Sequence, residues 1–307
     1  MATHTTFSAL AERRATPQHV VRTLADYWAL TKPEVNLLIA ITTLAGFCLA
    51  RPIQSHPFPF ILLVHTLLGT LLVAGGTGTL NQYIERVYDA QMRRTARRPL
   101  AAGRLEPSAA FCLGIALSSL GAIYLAVAVN FLASLLAVLT LLSYLFIYTP
   151  LKRKSPLCTL VGAFPGAVPP LIGWAAASGK LSLEAWVLYG VVFLWQFPHF
   201  MAIAWMYRQD YARAGYLVLP FGDRSGPFMA WQSLVSLVAL LPLALTPTLI
   251  GRAGLIYLIG ALVLSSAFLC YGIRLAVSRT NAMARRLLLA SIIYLPLLFV
   301  LMVLDKR

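Results

Sequence analysis

Charged residues are scarce in this sequence of 307 residues: Asp, Glu, Lys and Arg make up 11% of the chain, and only 10 residues are acidic. Hydrophobic residues account for 59%, and the mean hydropathy is +0.77. Ordinary soluble domains carry about 25% charged residues. The composition therefore excludes a soluble globular protein and predicts an integral membrane protein.

Cysteine is also rare, which limits the possible metal and redox chemistry. The four cysteines are scattered through apolar segments without Cys-x-x-Cys spacing: Cys48, Cys112, Cys158 and Cys270. This pattern indicates neither a zinc site nor a disulfide framework. We expect all four to pack in the protein core.

The first 34 residues contain no apolar stretch followed by a cleavage signal, so no secretory signal peptide is predicted. Glu12 and Asp26 disfavour a mitochondrial transit sequence, which is typically poor in acidic residues. We expect residues 1–34 to form a cytoplasmic N-terminal segment and residues 35–304 to form one membrane domain.

Long apolar runs recur from one end of the chain to the other. A helix needs about 20 apolar residues to cross the hydrocarbon core of a bilayer, and nine runs approach or exceed this length. The predicted fold is therefore all-α, with nine transmembrane helices. The predicted spans are 35–50, 58–81, 107–128, 130–149, 156–177, 184–206, 228–250, 253–275 and 284–304.

The basic residues give this topology an orientation. Of the 25 Lys and Arg residues, 20 fall in segments that nine helices place on one side. The other five are Arg51, Lys180, Arg252, Lys306 and Arg307. Since positive loops stay in the cytoplasm, the N-terminus is predicted to be cytoplasmic and the C-terminus to lie on the opposite side. The net charge of +15 is thus spread over short loops, which favours anionic lipids and substrates over nucleic acid.

Two longer polar breaks, residues 82–106 and 207–227, are separated by four predicted helices. This spacing predicts two four-helix halves plus a ninth helix, with each half supplying one loop to a shared site.

Small residues predict close helix packing: Gly75, Gly76, Gly78, Gly162, Gly166 and Gly173. Pro165, Pro169, Pro170 and Pro198 should bend or interrupt the fifth and sixth spans, which makes these spans candidate cavity walls.

The most informative segment follows the second span. Asn81, Glu85 and Asp89 are spaced at i, i+4 and i+8, so on a helix they share one face with a rise of about 6 Å between neighbours. A row of oxygen ligands suits Mg²⁺, which completes its coordination shell with water and phosphate oxygens. The spacing favours a magnesium site that binds a diphosphate.

Arginines follow this helix directly, at Arg93, Arg94, Arg97 and Arg98. Guanidinium groups bind phosphate in a bidentate manner and stabilise a departing diphosphate. The alternative is a solvated helix end with ordinary salt bridges and a positive cytoplasmic loop. Charges near membrane depth are costly, and their clustering favours the functional interpretation.

These residues resemble the first acidic motif of the intramembrane UbiA-type prenyltransferases. The Glu85 and Met-x-Arg-Thr variants, with Met92 and Arg94, are similar to the protoheme IX farnesyltransferase (heme O synthase) branch. Later signatures of that family have counterparts in the same order. They are Tyr148-Thr149-Pro150-Leu151-Lys152-Arg153, Trp195-Gln196-Phe197-Pro198-His199-Phe200, Asp210-Tyr211-x-x-Ala214-Gly215 and Leu219-Pro220, so the resemblance covers roughly residues 30–300.

The resemblance implies a role for each matching residue. The implied metal ligands are Asn81, Glu85, Asp89 and Asp210, and the implied catalytic residues are these four with Arg94 and Lys152. The implied substrate-binding residues are Arg97, Arg98, Tyr148, Arg153, His199 and Gln196. Two departures from the wider superfamily stand out: Glu85 replaces the usual Asp, and His199 stands where many relatives have the first Asp of the second motif.

His199 follows Pro198 in the sixth span and has two interpretations. It binds or orients a heme, or it is a buried histidine bonded to a carbonyl that the proline frees. His65, which matches no motif, is expected to be a packing residue.

The activity implied by the resemblance is Mg²⁺-dependent transfer of farnesyl from farnesyl diphosphate to a vinyl group of protoheme IX (heme b). It yields heme O and diphosphate for heme–copper oxidase biogenesis. The implied partners are the two substrates, the lipid bilayer and a downstream heme A synthase, with no nucleic acid. The implied location is a bacterial inner membrane, or alternatively a mitochondrial inner membrane. A prenyltransferase for aromatic or quinone precursors and a membrane transporter remain alternatives.

Overall fold

A computed structural model describes residues 17–51, 57–220 and 226–307, and this part of the chain is helical, with no β-strand. Arg13, Arg14 and Arg224, which entered the charge analysis, lie outside the described residues. The helices are α1 Pro17–Leu30, α2 Pro33–Ala50, α3 Phe60–Asp89, α4 Pro107–Ala128, α5 Phe131–Leu142, α6 Cys158–Gly166, α7 Pro169–Ser178, α8 Leu183–Met206, α9 Arg208–Arg213, α10 Pro227–Leu249, α11 Leu255–Ser278 and α12 Asn281–Leu304. A π-helical segment, Ser143–Tyr148, and a last turn, Thr149–Leu151, continue α5.

The described residues contain nine segments that are long and apolar enough to cross a membrane, which confirms the predicted number. The largest difference from prediction is at α3, which ends at Asp89 rather than at residue 81. At 1.5 Å per residue its 30 residues extend about 45 Å, well beyond a hydrocarbon core of about 30 Å. The polar residues Asn81, Glu85 and Asp89 therefore lie near one end of the helix bundle.

The fifth span is interrupted, as its prolines predict. Helix α6 ends at Gly166 and α7 begins at Pro169, with Ala167 and Val168 between them. Gln196 lies against this break and donates a hydrogen bond from Nε2 to the carbonyl of Ala163 at 3.1 Å. The sixth span is not interrupted, because α8 remains one helix through Pro198.

The crossing of α2 and α7 depends on glycines at the contact. A Cβ atom on Gly46 would overlap the carbonyl of Pro170, and one on Gly173 would overlap the carbonyl of Thr43. Elsewhere, Gly76 lies against Ser118 in the same way. Glycines at these positions let helix backbones approach each other closely, at contacts where the facing backbone atoms cannot move to accept a Cβ atom.

Gly173→Ala is expected to lower the stability of the bundle by about 1–3 kcal/mol, the usual cost of overpacking, because its methyl group would meet the rigid Thr43 carbonyl. Gly190→Ala in α8 is the matched control, since a Cβ atom there meets only the flexible Leu243 side chain. Thermal unfolding in detergent should give a lower midpoint for Gly173→Ala alone. Equal midpoints for the two variants would show that the close α2–α7 contact does not determine the stability of the bundle.

The prediction that all four cysteines pack in the core is wrong for two of them. Cys158 is buried and Cys48 partly buried, whereas Cys112 and Cys270 are exposed on the outer surface of the bundle. Hydropathy cannot separate these cases, because side chains that face lipid are as apolar as those that face other helices.

His65 behaves as a packing residue, with Nδ1 2.6 Å from the Tyr124 hydroxyl.

Candidate active site

The three polar residues at the end of α3 are nearly inaccessible, with exposed fractions of 1% for Asn81, 5% for Glu85 and 2% for Asp89. Each is bonded to a cation from another part of the chain. The contacts are Lys32 Nζ to Asn81 Oδ1 at 2.6 Å, Lys152 Nζ to Glu85 Oε1 at 2.8 Å and Arg98 Nη1 to Asp89 Oδ2 at 2.7 Å. The predicted row of ligands is thus matched by a row of half-buried basic groups.

Sequence reasoning counted Lys32 only as a basic residue of the N-terminal segment. It directly precedes α2, with a backbone φ of 55° that brings the chain from α1 into the next helix. Burial, and then the nearby Arg98, lower the pKa of Lys32 to about 7. An anion bound beside it would favour the charged ammonium form.

Lys152 is surrounded by aromatic rings. Its Nζ atom lies 4.6 Å from the ring centre of Tyr148 and 6.0 Å from those of Tyr144 and Tyr216. Pro150 has no N–H for a helical bond in this turn, and a π-helical segment precedes it. This segment carries Tyr144 and Tyr148, and such wide turns are frequent at functional sites.

Asp210, the predicted ligand from the second loop, also lies at this end of the bundle. Its Oδ2 atom accepts a hydrogen bond from the backbone amide of Arg94 at 3.1 Å, and its Oδ1 atom pairs with Arg213. Met92 packs in a small apolar cluster with Ala214 and Tyr216. The two acidic segments, 116 residues apart at Arg94 and Asp210, are therefore in direct contact.

Tyr216 belongs to no predicted set, yet it lies between the two loops. Its ring makes an edge contact with Tyr88 at 6.1 Å. Burial, and then the nearby carboxylate of Glu85, raise the pKa of Tyr216. Its hydroxyl therefore keeps its proton and remains available as a hydrogen-bond donor. The sequence did not indicate this residue, because it is far along the chain from Tyr88 and Glu85.

The remaining predicted basic residues lie further out. Arg153 is exposed and donates a hydrogen bond to the Tyr88 hydroxyl at 2.5 Å. Arg94 is exposed above the ring of Tyr207, with its Cζ atom 5.1 Å from the ring centre. Arg97 is also exposed. All three side chains are therefore accessible from solvent.

His199 and Gln196 lie deeper in the bundle, on α8. The Ser291 hydroxyl is placed to donate to the Leu288 carbonyl at 2.6 Å. With that donation, His199 Nδ1 is the donor in its 2.8 Å contact with Ser291. The Nε2 atom of His199 then keeps its lone pair. Its partner is a hydroxyl group rather than the freed carbonyl of the packing interpretation.

Gln196 is 3% exposed, and both of its recorded hydrogen bonds go to backbone carbonyls, those of Ala163 and Val192. In this conformation it stabilises the break between α6 and α7.

The donor set suits a hard cation, since amide and carboxylate oxygens are ligands that Mg²⁺ prefers. Within the described ranges, however, no three His, Cys, Asp or Glu side chains are close enough to form a metal cage by themselves. Glu85 and Asp89 are instead neutralised by Lys152 and Arg98. The residues fit a metal that takes its remaining ligands from a bound diphosphate.

Comparison with known proteins identifies the family. The model of the "UbiA prenyltransferase family" matches residues 39–299. A protoheme IX farnesyltransferase of Solibacter usitatus is 47% identical over 289 residues, covering 92% of this chain and 99% of that protein. One from Koribacter versatilis is 43% identical over 307 residues, covering 97% and 99%.

Solved structures share the fold at low sequence identity. A digeranylgeranylglyceryl phosphate synthase superposes with a TM-score of 0.75 at 15% identity, over 92% of this chain and 98% of that one. A UbiA homolog from Archaeoglobus fulgidus bound to DMAPP and Mg²⁺ gives 0.64 at 15% identity, over 91% and 99%. With the family match over most of its length, the chain belongs to the UbiA prenyltransferase family and is a prenyltransferase.

Proposed function

We propose that this prenyltransferase transfers the farnesyl group of farnesyl diphosphate to a vinyl group of protoheme IX, giving heme O and diphosphate. The observation that carries the proposal is the row of three buried cation contacts at Asn81, Glu85 and Asp89. The names of relatives that are 43–47% identical over nearly their whole length support protoheme as the acceptor.

The diphosphate is assigned to the half-buried cations. Lys152 and Arg98 are each paired with a carboxylate, so an anionic substrate finds them already oriented. Magnesium, held by Asn81, Glu85, Asp89 and Asp210 together with diphosphate oxygens, would supply Lewis-acid stabilisation of the leaving group. Lys32, Lys152 and Arg98 add positive charge where the leaving group gains negative charge.

The prenyl transfer requires no protein nucleophile. The allylic C–O bond breaks, its electron pair leaves with the diphosphate, and the vinyl group attacks the resulting cation. Water then adds to the new cation beside the macrocycle and loses a proton, which leaves a hydroxyethylfarnesyl group. The rings of Tyr144, Tyr148 and Tyr216 around Lys152 would stabilise positive charge and exclude water from this step.

We assign the heme acceptor to the α8 side of the candidate active site. His199 is stacked against Trp195 with ring centres 4.8 Å apart, and its Nε2 atom keeps the lone pair that binding to iron requires. Arg94, Arg97 and Arg153 lie on the solvent side, where they suit anionic groups of either substrate. A substrate contact for Gln196 remains a prediction.

The sequence relationship favours this acceptor over a quinone precursor, and family membership favours an enzyme over a transporter. The chain is a multi-pass membrane protein. We propose that it lies in a bacterial inner membrane with its N-terminus in the cytoplasm, and that it supplies heme O to heme A synthase and heme–copper oxidases. We also propose one membrane domain, residues 35–304, built from two four-helix halves and a ninth helix.

The test is expression in a bacterial host that lacks its own heme O synthase, followed by heme extraction and chromatography with mass detection. We expect a hydroxyethylfarnesyl heme from the natural sequence and none from Asp89→Ala. If protoheme is unchanged although the protein is folded and farnesyl diphosphate is present, the acceptor assignment is wrong. Assays with aromatic and quinone-type acceptors would then follow.

A further inference from the structure

A cavity lies at the end of the bundle opposite the acidic residues of α3. Helix α2 defines the two ends, because it begins beside Lys32 at the candidate active site and ends at Ala50, which lines this cavity. The cavity has a volume of about 320 Å³, which is within the usual size range of small-molecule sites. The proposed prenyl transfer makes no use of it.

The cavity collects every basic residue of its side of the bundle. All five Lys and Arg residues that the topology assigns to this side line it: Arg51, Lys180, Arg252, Lys306 and Arg307. Basic residues are disfavoured in short non-cytoplasmic loops, and these five come from four separate parts of the chain. Their convergence on one cavity is therefore unlike a random distribution of surface charge.

The positive charge in the cavity is only partly compensated. Glu184 is the one acidic residue of the lining, and it pairs with Arg252 at 2.6 Å. Within the described residues, the side chains of Lys180 and Arg307 have no ion pair. Both are exposed, so an incoming anion can reach them.

Lys306 shows how closely the cations are held together. Its Nζ atom donates hydrogen bonds to the carbonyls of Cys48, at 3.0 Å, and Arg51, at the C-terminal end of α2. Burial lowers the pKa of Lys306, and the nearby Arg252 and Arg51 lower it further. The mutual repulsion of these groups would be relieved by a bound anion.

The inner wall of the cavity is apolar. Leu49, Trp174, Leu188 and Met302 line it and are exposed by 7%, 8%, 2% and 3%. The lining therefore combines cations from the ends of the transmembrane helices with an apolar wall. This arrangement matches an amphiphile with a negative head and an apolar body.

We propose that this cavity binds an anionic phospholipid of the surrounding bilayer, with the phosphate group among the five cations and the upper acyl chain against the apolar wall. A free phosphate ion has the same negative charge but cannot use the apolar wall. The cavity lies at the level where transmembrane helices end, which is also the level of lipid headgroups. The inference is independent of the acceptor assigned to the enzyme.

The experiment is lipid titration of the purified, detergent-solubilised protein, with bound lipid counted by native mass spectrometry. We expect phosphatidylglycerol to bind at least tenfold more tightly than phosphatidylcholine. The double variant Lys180→Gln/Arg307→Gln should lose about twenty-five-fold of that affinity, because each basic residue near an anionic lipid contributes on the order of a fivefold change. Both side chains are exposed, so the fold should be retained.

The matched control is Arg274→Gln/Arg285→Gln, which removes the same charge from exposed positions at the other end of the bundle. Equal loss in both double variants, or equal binding of the two lipids, would overturn the proposal. Inorganic phosphate is a separate arm: if it raises the unfolding temperature as much as phosphatidylglycerol does, the site takes a free anion and the lipid assignment is wrong. If the double variant does not fold, Lys180→Gln alone provides the same comparison.

Discussion

Replacing Asp89 with Asn should reduce prenyl transfer by about a thousandfold while the protein remains folded. The carboxylate is 2% exposed and bonded to Arg98 at 2.7 Å, and the amide has nearly the same shape. The substitution removes the negative charge needed to bind a metal–diphosphate complex and leaves Arg98 without its counter-charge. Loss of one well-oriented electrostatic group typically costs about 10²–10³-fold in rate, and Asp89 contributes to both metal binding and arginine orientation.

The measurement is diphosphate release and product formation with farnesyl diphosphate and protoheme. Asp26→Asn is the matched control, because Asp26 makes a similar contact with Arg104 at 2.8 Å at the surface near the same end of the bundle. Exposed pairs of this kind contribute at most about 1 kcal/mol, so this variant should keep its full activity. If Asp89→Asn stays within tenfold of the natural enzyme, Asp89 has no direct role in diphosphate chemistry.

Replacing Lys152 with Met should destabilise the protein by about 3–5 kcal/mol, because it leaves Glu85 buried without its partner. The side chains of the pair are 13% and 7% exposed and 2.8 Å apart. The double variant Lys152→Met/Glu85→Gln removes both charges and should recover most of the stability. It should not recover activity, since both the cation and the ligand would be missing.

Thermal unfolding in detergent and turnover, measured on the same preparations, separate these two effects. Arg153→Met is the control for loss of a neighbouring cation, since Arg153 is exposed and contacts Tyr88 at the surface. We expect its unfolding midpoint to change little. A double variant as unstable as Lys152→Met alone would show that the damage comes from lost packing against Tyr148 rather than from the unpaired charge.

The ion pairs at Glu85 and Asp89 explain how cations can be held in the interior of the protein. Isolated charges there would be costly, and pairing reduces that cost without making the pairs strongly stabilising. Lys152 and Arg98 are each held in a defined orientation by a carboxylate. Lys32 is bonded to a neutral amide rather than to a carboxylate.

The architecture could be predicted from the sequence because lipid imposes simple rules. A chain in hydrocarbon must satisfy its backbone hydrogen bonds internally, so long apolar runs become helices, and their number and approximate bounds were predicted correctly. The spacing of Asn81, Glu85 and Asp89 also sufficed to predict a shared helix face, since helix periodicity is local. All three are indeed buried at one end of α3.

Only the tertiary structure decided which distant groups meet those residues. Lys32 is 49 positions from Asn81, and Lys152 is 67 positions from Glu85. Tyr216 reaches the same place through the packing of two loops. Contacts of this kind depend on how helices cross rather than on local periodicity, so no spacing in the sequence encodes them.

The sequence also does not encode which side chains face outward from the bundle, or which ones meet at the end opposite the candidate active site. Hydropathy placed Cys112 and Cys158 in the same class, although one faces outward and the other inward. The sequence by itself determined that five basic residues share the end opposite the candidate active site. Only the folded chain showed that they line one cavity, because helix packing brings together loop ends that are far apart along the chain.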